Sequence, residues 1–174
     1  MVQIYLLQEW NLLCMKKSEM IASKLKNRNG NRYSLKKKTV SHTNPGALDG
    51  KSGTIKIDVG DLTEIHSVDT RAMQCKAESG VTFSRLVRET LKYGLIPKCV
   101  SELKNITIGG AVSGFSVESM SFRYGGFHNS CKEYEIVTGT GEVLYCSREA
   151  EPDVFEMIHY SFKERSCVMQ RCNG

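Results

Sequence analysis

Five glycines, Gly109, Gly110, Gly114, Gly125 and Gly126, fall within eighteen residues and punctuate a stretch otherwise made of hydroxyl-bearing and apolar side chains. Without a Cβ, a backbone can turn sharply or come within hydrogen-bonding distance of a ligand. A run of exposed amides at the start of a helix is a ready phosphate site. Thr107, Ser113, Ser116 and Ser119 add hydroxyl donors to the same region. The spacing is not that of a Walker loop, which needs a lysine after the last glycine. Nor is it the Rossmann pattern, which follows a strand and is answered by a later acidic residue. Spacing alone leaves two readings open, a phosphate-binding loop and a set of tight turns.

The surrounding segments limit the fold class. Thr54–Asp58 alternates with period two and reads as a strand, and Met73–Glu78 reads as a second one ending at Gly80. Thr82 is placed to cap a helix whose Phe83, Leu86, Val87 and Leu91 share one face, with Gly94 ending it. Leu95–Val100 contains Pro97 and reads as an edge or loop. Lys132–Val137, Gly139–Gly141 and Glu142–Cys146 carry the strongest hairpin signal in the chain. Asp153 is placed to cap a last helix through Val154, Phe155 and Ile158. Helix and strand are mixed without a regular β-α-β alternation, so the class is α+β.

The chain of 174 residues has 40% hydrophobic and 25% charged residues, the balance of one globular domain. Its net charge of +5 is unevenly distributed. Residues 16–38 alone carry +8, leaving −3 for the rest. Such a block attracts nucleic acid or an anionic membrane surface, or it is a solvated N-terminal arm. Tyr33 is the one aromatic within it, which speaks against a nucleic-acid reader. No apolar run reaches spanning length, and the opening Met1–Met15 lacks the basic start of a secretory signal. Seven cysteines show no C-x-x-C pair and no histidine at zinc-ligand spacing, so reduced thiols and no metal are expected.

Residues 54–162 taken together resemble the flavin-binding domain of the p-cresol-methylhydroxylase (vanillyl-alcohol-oxidase) superfamily. That family has a Gly-Thr-Val-Gly-Gly loop where this chain has Ile106-Thr107-Ile108-Gly109-Gly110. The combination of Glu102-Leu103, Thr107–Gly110 and Gly114–Ser119 is similar to the delta(24)-sterol-reductase-like branch and to FAD-linked oxidases. The resemblance implies an FAD-binding domain of two α+β subdomains. It implies FAD with its pyrophosphate on backbone amides around Thr107, Ile108, Gly109 and Gly110, and non-covalent binding is expected because no histidine or cysteine stands at a convincing attachment position. Gly114, Ser116, Val117, Glu118 and Ser119 would line the flavin, with Tyr124 and Gly125 close by. Lys36–His42 stands where the family keeps its other phosphate contacts. Glu118 reads either as an orienting carboxylate or as one bonded to loop amides. His128 is the candidate for a covalent flavin link, set against a packing or surface histidine. His66 lies near Asp61 and Glu64 without metal-ligand spacing.

The resemblance implies an FAD-linked oxidoreductase acting on a small molecule, a sterol or other lipid being the class suggested. With no secretory signal and reduced thiols, a cytoplasmic protein is expected, with peripheral membrane association as an option and no nucleic-acid partner. Catalytic residues are not indicated, since the family keeps them in a cap domain for which this chain has no room. Three zones are expected: a basic arm over 1–45 that begins the first subdomain, a partial FAD-binding domain over 46–162, and a tail over 163–174. That tail lacks the family's glycine loop and strand, so it is expected to be exposed and to leave a sheet edge open. The rival readings are a remnant that holds no flavin and a basic binder acting through residues 16–38.

Overall fold

The computed structural model describes residues 16–37 and 53–159 and the backbone of 168–173. Lys38–His42, the end of the second expected phosphate segment, and the opening 1–15 lie outside the described residues, as do 163–167 of the tail.

Two sheets organise the chain. Strand β1 (Tyr33–Lys36) runs parallel to β2 (Ile55–Asp58) as a two-stranded sheet. The five others form one antiparallel sheet in the order β3-β4-β7-β5-β6, from β3 (Ile65–Asp69), β4 (Gln74–Ala77), β5 (Glu133–Val137), β6 (Val143–Ser147) and β7 (Val168–Asn173). The α+β expectation holds, and so do β2, β4 and the β5–β6 hairpin, whose turn places Gly141 at φ +82°.

Helix α1, described over residues 16–26, corrects the reading of the basic segment as a solvated arm. Ser18, Ile21, Ala22 and Leu25 recur at helical spacing and are buried, the last three against Ile57, Val59, Leu62 and Val137. Burying Ile21 and Leu25 contributes about 1.5–3 kcal/mol each. The lysines hide this stripe because they occupy the other face, where Lys16, Lys24 and Lys26 are exposed. Within the block, Lys17 pairs with Glu78 at 2.8 Å and Lys36 with Asp58 at 3.0 Å.

Helix α2 (Phe83–Leu91) forms as expected: Thr82 Oγ1 accepts from the Arg85 amide, and Gly94 follows at φ +70°. Its buried residues are Phe83, Leu86 and Thr90, while Leu91 is exposed. Three short elements follow, α3 (Ile108–Ser113), α4 (Ser121–Tyr124) and a 3-10 helix over Phe127–Ser130. Helix α5 (Pro152–His159) buries Phe155 and Ile158 as expected, but Asp153 sits in its first turn rather than ahead of it. The main core gathers Phe83, Leu86, Ile108, Val112, Phe127, Tyr134, Ile136 and Phe155.

The tail expectation is overturned for Val168–Asn173. This strand is interior, with Cys172 opposite Ala77 on one side and Tyr134 on the other. A strand flanked on both sides satisfies its backbone groups through neighbours already in place, a stabilisation that leaves no local sequence pattern. The expected open edge between β4 and β5 is therefore filled, and the edges of the sheet are β3 and β6.

Candidate cofactor site

Helix α3 starts where two loops meet. Thr107 is its N-cap, with Oγ1 accepting from the Gly110 amide at 3.2 Å. The Ile108 amide donates to the Val81 carbonyl at 2.9 Å, and the Gly109 amide to the Ser79 carbonyl at 2.8 Å. The Ala111 amide bonds Thr107 within the helix. The first turn is thus tied to the segment after β4, and the expectation of a row of open amides needs correction. Of these four donors, only the Gly110 amide is held by a side chain, the Thr107 hydroxyl.

The glycines divide in the same way. A Cβ on Gly109 would lie 2.9 Å from Ser79 Cβ and 3.2 Å from its carbonyl oxygen, so that glycine serves close packing. A Cβ on Gly110 would meet Thr107 Oγ1 alone, at 3.2 Å. Gly110 therefore leaves the head of α3 open to a ligand. Gly125, at φ +74° and ψ −167°, holds a conformation open to glycine alone, ending α4 and turning the chain into the 3-10 helix.

Between these points the chain runs through an accessible loop. Phe115 takes φ +52°, and the Ser116 amide returns to the Ala111 carbonyl at 2.9 Å. Ser116 Oγ donates to Glu118 Oε1 at 2.7 Å, and Glu118 Oε2 accepts from the Glu102 amide at 3.4 Å. Glu118 is therefore a loop-bracing carboxylate with a hydroxyl and an amide as partners. Gly114, Val117 and Ser119 are exposed, and Tyr124 is half-buried under Arg123. Val117, Met120 and Phe122 present apolar surface beside them, Phe122 at 85% exposure. The open side of Gly110 and this accessible loop suit a flat, partly apolar cofactor carrying phosphates.

His128 is not on the surface. Its ring is buried between Phe115, at a centroid distance of 4.2 Å, and His159, at 4.7 Å. Burial chiefly holds its pKa below the ordinary imidazole value, Arg148 adding to the effect and Glu156 opposing it. His66 Nε2 stands 3.5 Å from Glu78, and no cluster of three metal-ligating side chains occurs among the described residues. Burial pushes the Cys75 thiol up to about 11, which makes it a poor nucleophile at neutral pH. A groove of about 620 Å³ lies elsewhere, along Phe83, Val87 and Leu91 of α2, and none of the expected flavin residues lines it.

Sequence reasoning missed Ser79, whose carbonyl seats α3, and the role of Glu102, whose amide holds Glu118. Both act through backbone groups, which carry no side-chain signal. It also missed His159, whose position beside His128 depends on the packing of α5.

The family described as FAD binding domain matches residues 35–147. A delta(24)-sterol reductase homolog from Caenorhabditis elegans is 38% identical over 93 residues, covering 53% of this chain and 18% of that protein. Cytokinin dehydrogenase 9 from Oryza sativa subsp. japonica is 40% identical over 79 residues, covering 45% of this chain and 15% of its own length. The chain thus spans less than a fifth of either relative. The fold matches 6-hydroxy-D-nicotine oxidase from Arthrobacter nicotinovorans with a TM-score of 0.73 at 22% identity, over 90% of this chain and 34% of that one. The expected resemblance to flavin domains of this type is borne out.

Proposed function

The chain belongs to the FAD binding domain family, so its cofactor is FAD, and we propose that it is the flavin-holding part of an FAD-dependent oxidoreductase. The observation that carries this reading is the open side of Gly110 at the head of α3, inside the matched segment. Bound FAD supplies the redox chemistry, while the protein supplies binding and orientation. The Gly110 amide and the Thr107 hydroxyl would hold a pyrophosphate oxygen over the backbone of Ile108 and Gly109. Gly114, Ser116, Val117, Glu118 and Ser119 would line the flavin, with Tyr124 and Gly125 fixing the far end of that loop.

The attachment is non-covalent in this reading, since His128 Nδ1 is buried and its ring packs against Phe115 and His159. The substrate assigned is a small sterol or other lipid, supported by the sterol reductase names among the relatives and by exposed Val117, Met120 and Phe122. A reducing, cytoplasmic compartment fits Cys75, Cys99, Cys131 and Cys146, which are thiols rather than disulfides. No helix among the described residues is long and apolar enough to cross a membrane.

The test is FAD titration of the full chain and of Gly110→Val, followed by flavin absorbance and fluorescence. A Cβ at 110 meets only the Thr107 hydroxyl and valine carries two methyls beyond it, so the variant should retain no FAD, with circular dichroism checking that it folds. Unchanged flavin content in the variant overturns the site, and a wild-type chain that takes up no FAD overturns the reading.

A further inference from the structure

The proposed flavin loop is joined to the core by a row of rings. Phe115 rests on His128, His128 on His159, and His159 on Phe155 and Tyr134, with centroid separations of 4.2, 4.7, 4.9 and 5.7 Å. Tyr134 OH lies 3.0 Å from His159 Nε2, which fixes that ring. Backbone contacts reinforce the row, because the Phe127 amide donates to the Ser116 carbonyl at 3.0 Å. A Cβ on Gly126 would lie 2.6 Å from the His128 ring and 3.1 Å from the Ser116 carbonyl, so the fit is tight. Phe115 pays for its place with φ +52°, a conformation that an L side chain keeps only when its surroundings hold it.

We propose that His128 is a positioning residue for FAD: its uncharged ring supports Phe115 and thereby sets the course of Gly114–Ser119, and a charged ring releases that loop. The inference rests on the assignment of this loop to the flavin. The charge-sensitive part follows from what surrounds the ring. His128 is 5% and His159 1% exposed, and Nδ1 of each is buried with no hydrogen-bond partner. Glu156 Oε2 stands 3.5 Å from His159 Nδ1, at the outer limit of a hydrogen bond, and favours a proton on that ring. Among the described residues the groups facing the pair are Glu156 from α5, Arg148 after β6 and Tyr134 from β5. Glu156 favours a proton on His128 and outweighs Arg148, which opposes one, so it is the burial of the ring that makes a proton costly there. Burial is the main influence holding both pKa values below 6.5. A lowered imidazole value means the uncharged arrangement is fully stable above the ordinary value and is lost as pH falls through the folded one.

The experiment follows the full chain from pH 7.5 to 5.0 by amide hydrogen exchange, corrected for intrinsic rate, and by FAD titration. Protection of the Phe127 and Ser116–Ser119 amides should fall with acid before the rest of the core opens. FAD affinity should weaken with it, approaching about tenfold per pH unit for a single linked proton. His128→Phe keeps a ring under Phe115 without a titrating group, so loop protection and affinity should become flat across this range. His128→Ala should lose loop protection at every pH. His128→Phe with the wild-type pH profile overturns the proposal, as does an acid-insensitive loop in the wild-type chain. If the wild-type chain binds no FAD at pH 7.5, the flavin assignment fails, whereas the exchange arm still decides whether His128 holds the loop.

Discussion

Replacing Lys17 by methionine should destabilise the chain by about 2–3 kcal/mol, far more than a surface lysine would. Lys17 Nζ lies 2.8 and 3.0 Å from the two carboxylate oxygens of Glu78 and 3.1 Å from the Asp61 carbonyl. Removing one partner of a buried pair typically costs about 3–5 kcal/mol, because the other charge is left uncompensated. Here Glu78 is fully buried, but 22% of the Lys17 side chain is exposed, and Glu78 keeps the Glu64 amide and His66. That places the cost below the usual range. Burial, the largest influence on the Glu78 carboxyl, raises its pKa, yet the bonds from His66, Glu64 and Lys17 outweigh it and hold it below 4.5. The pair's contribution is therefore complete above pH 4.5 and disappears as pH falls through the lower folded-state value. Urea unfolding followed by far-ultraviolet circular dichroism at pH 7 and pH 4 measures both effects. In Lys17→Met the acid loss should begin at higher pH. The double variant Lys17→Met/Glu78→Leu should recover much of the stability, since apolar replacement of a buried pair is often neutral. A Lys17→Met cost under about 0.5 kcal/mol, the level of an exposed pair, would refute the reasoning.

Three further outcomes test other parts of the structure. Gly109→Ala forces a Cβ onto Ser79 and should lower stability by about 1–3 kcal/mol, measured by urea midpoint, whereas Gly110→Ala should cost less. Acid precipitation of the flavin-loaded chain should leave FAD in the supernatant; colour in the pellet would contradict non-covalent binding. Cys172→Pro, at a position paired on both sides, should cost about 3 kcal/mol or more and abolish exchange protection at Ala77 and Tyr134.

Much of this was legible where side-chain pattern and local geometry agree. Thr82 before Phe83, Gly94 after Leu91 and Thr138–Gly141 between two alternating runs are signals confined to a few residues. Helix α1 was obscured because lysines dominate its composition while the informative residues, Ser18, Ile21, Ala22 and Leu25, face inward. Strand β3 escaped notice because only Ile65 and Val68 interrupt its polar residues, and β7 because its support comes from β4 and β5. The glycine loop was legible as a place, but its hydrogen bonds were not. That the Gly109 amide is already engaged by Ser79 depends on how two distant turns meet.

The interior position of β7 has a consequence for synthesis. It follows every other described strand in sequence, yet it alone joins the β3–β4 pair to the β5–β6 pair. As the chain emerges at about 5–20 residues per second, two separate hairpins form and wait several seconds with their inner edges unpaired. During that interval each edge can recruit a foreign strand, so a holdase chaperone present during translation should raise the soluble yield, whereas one added afterwards should not.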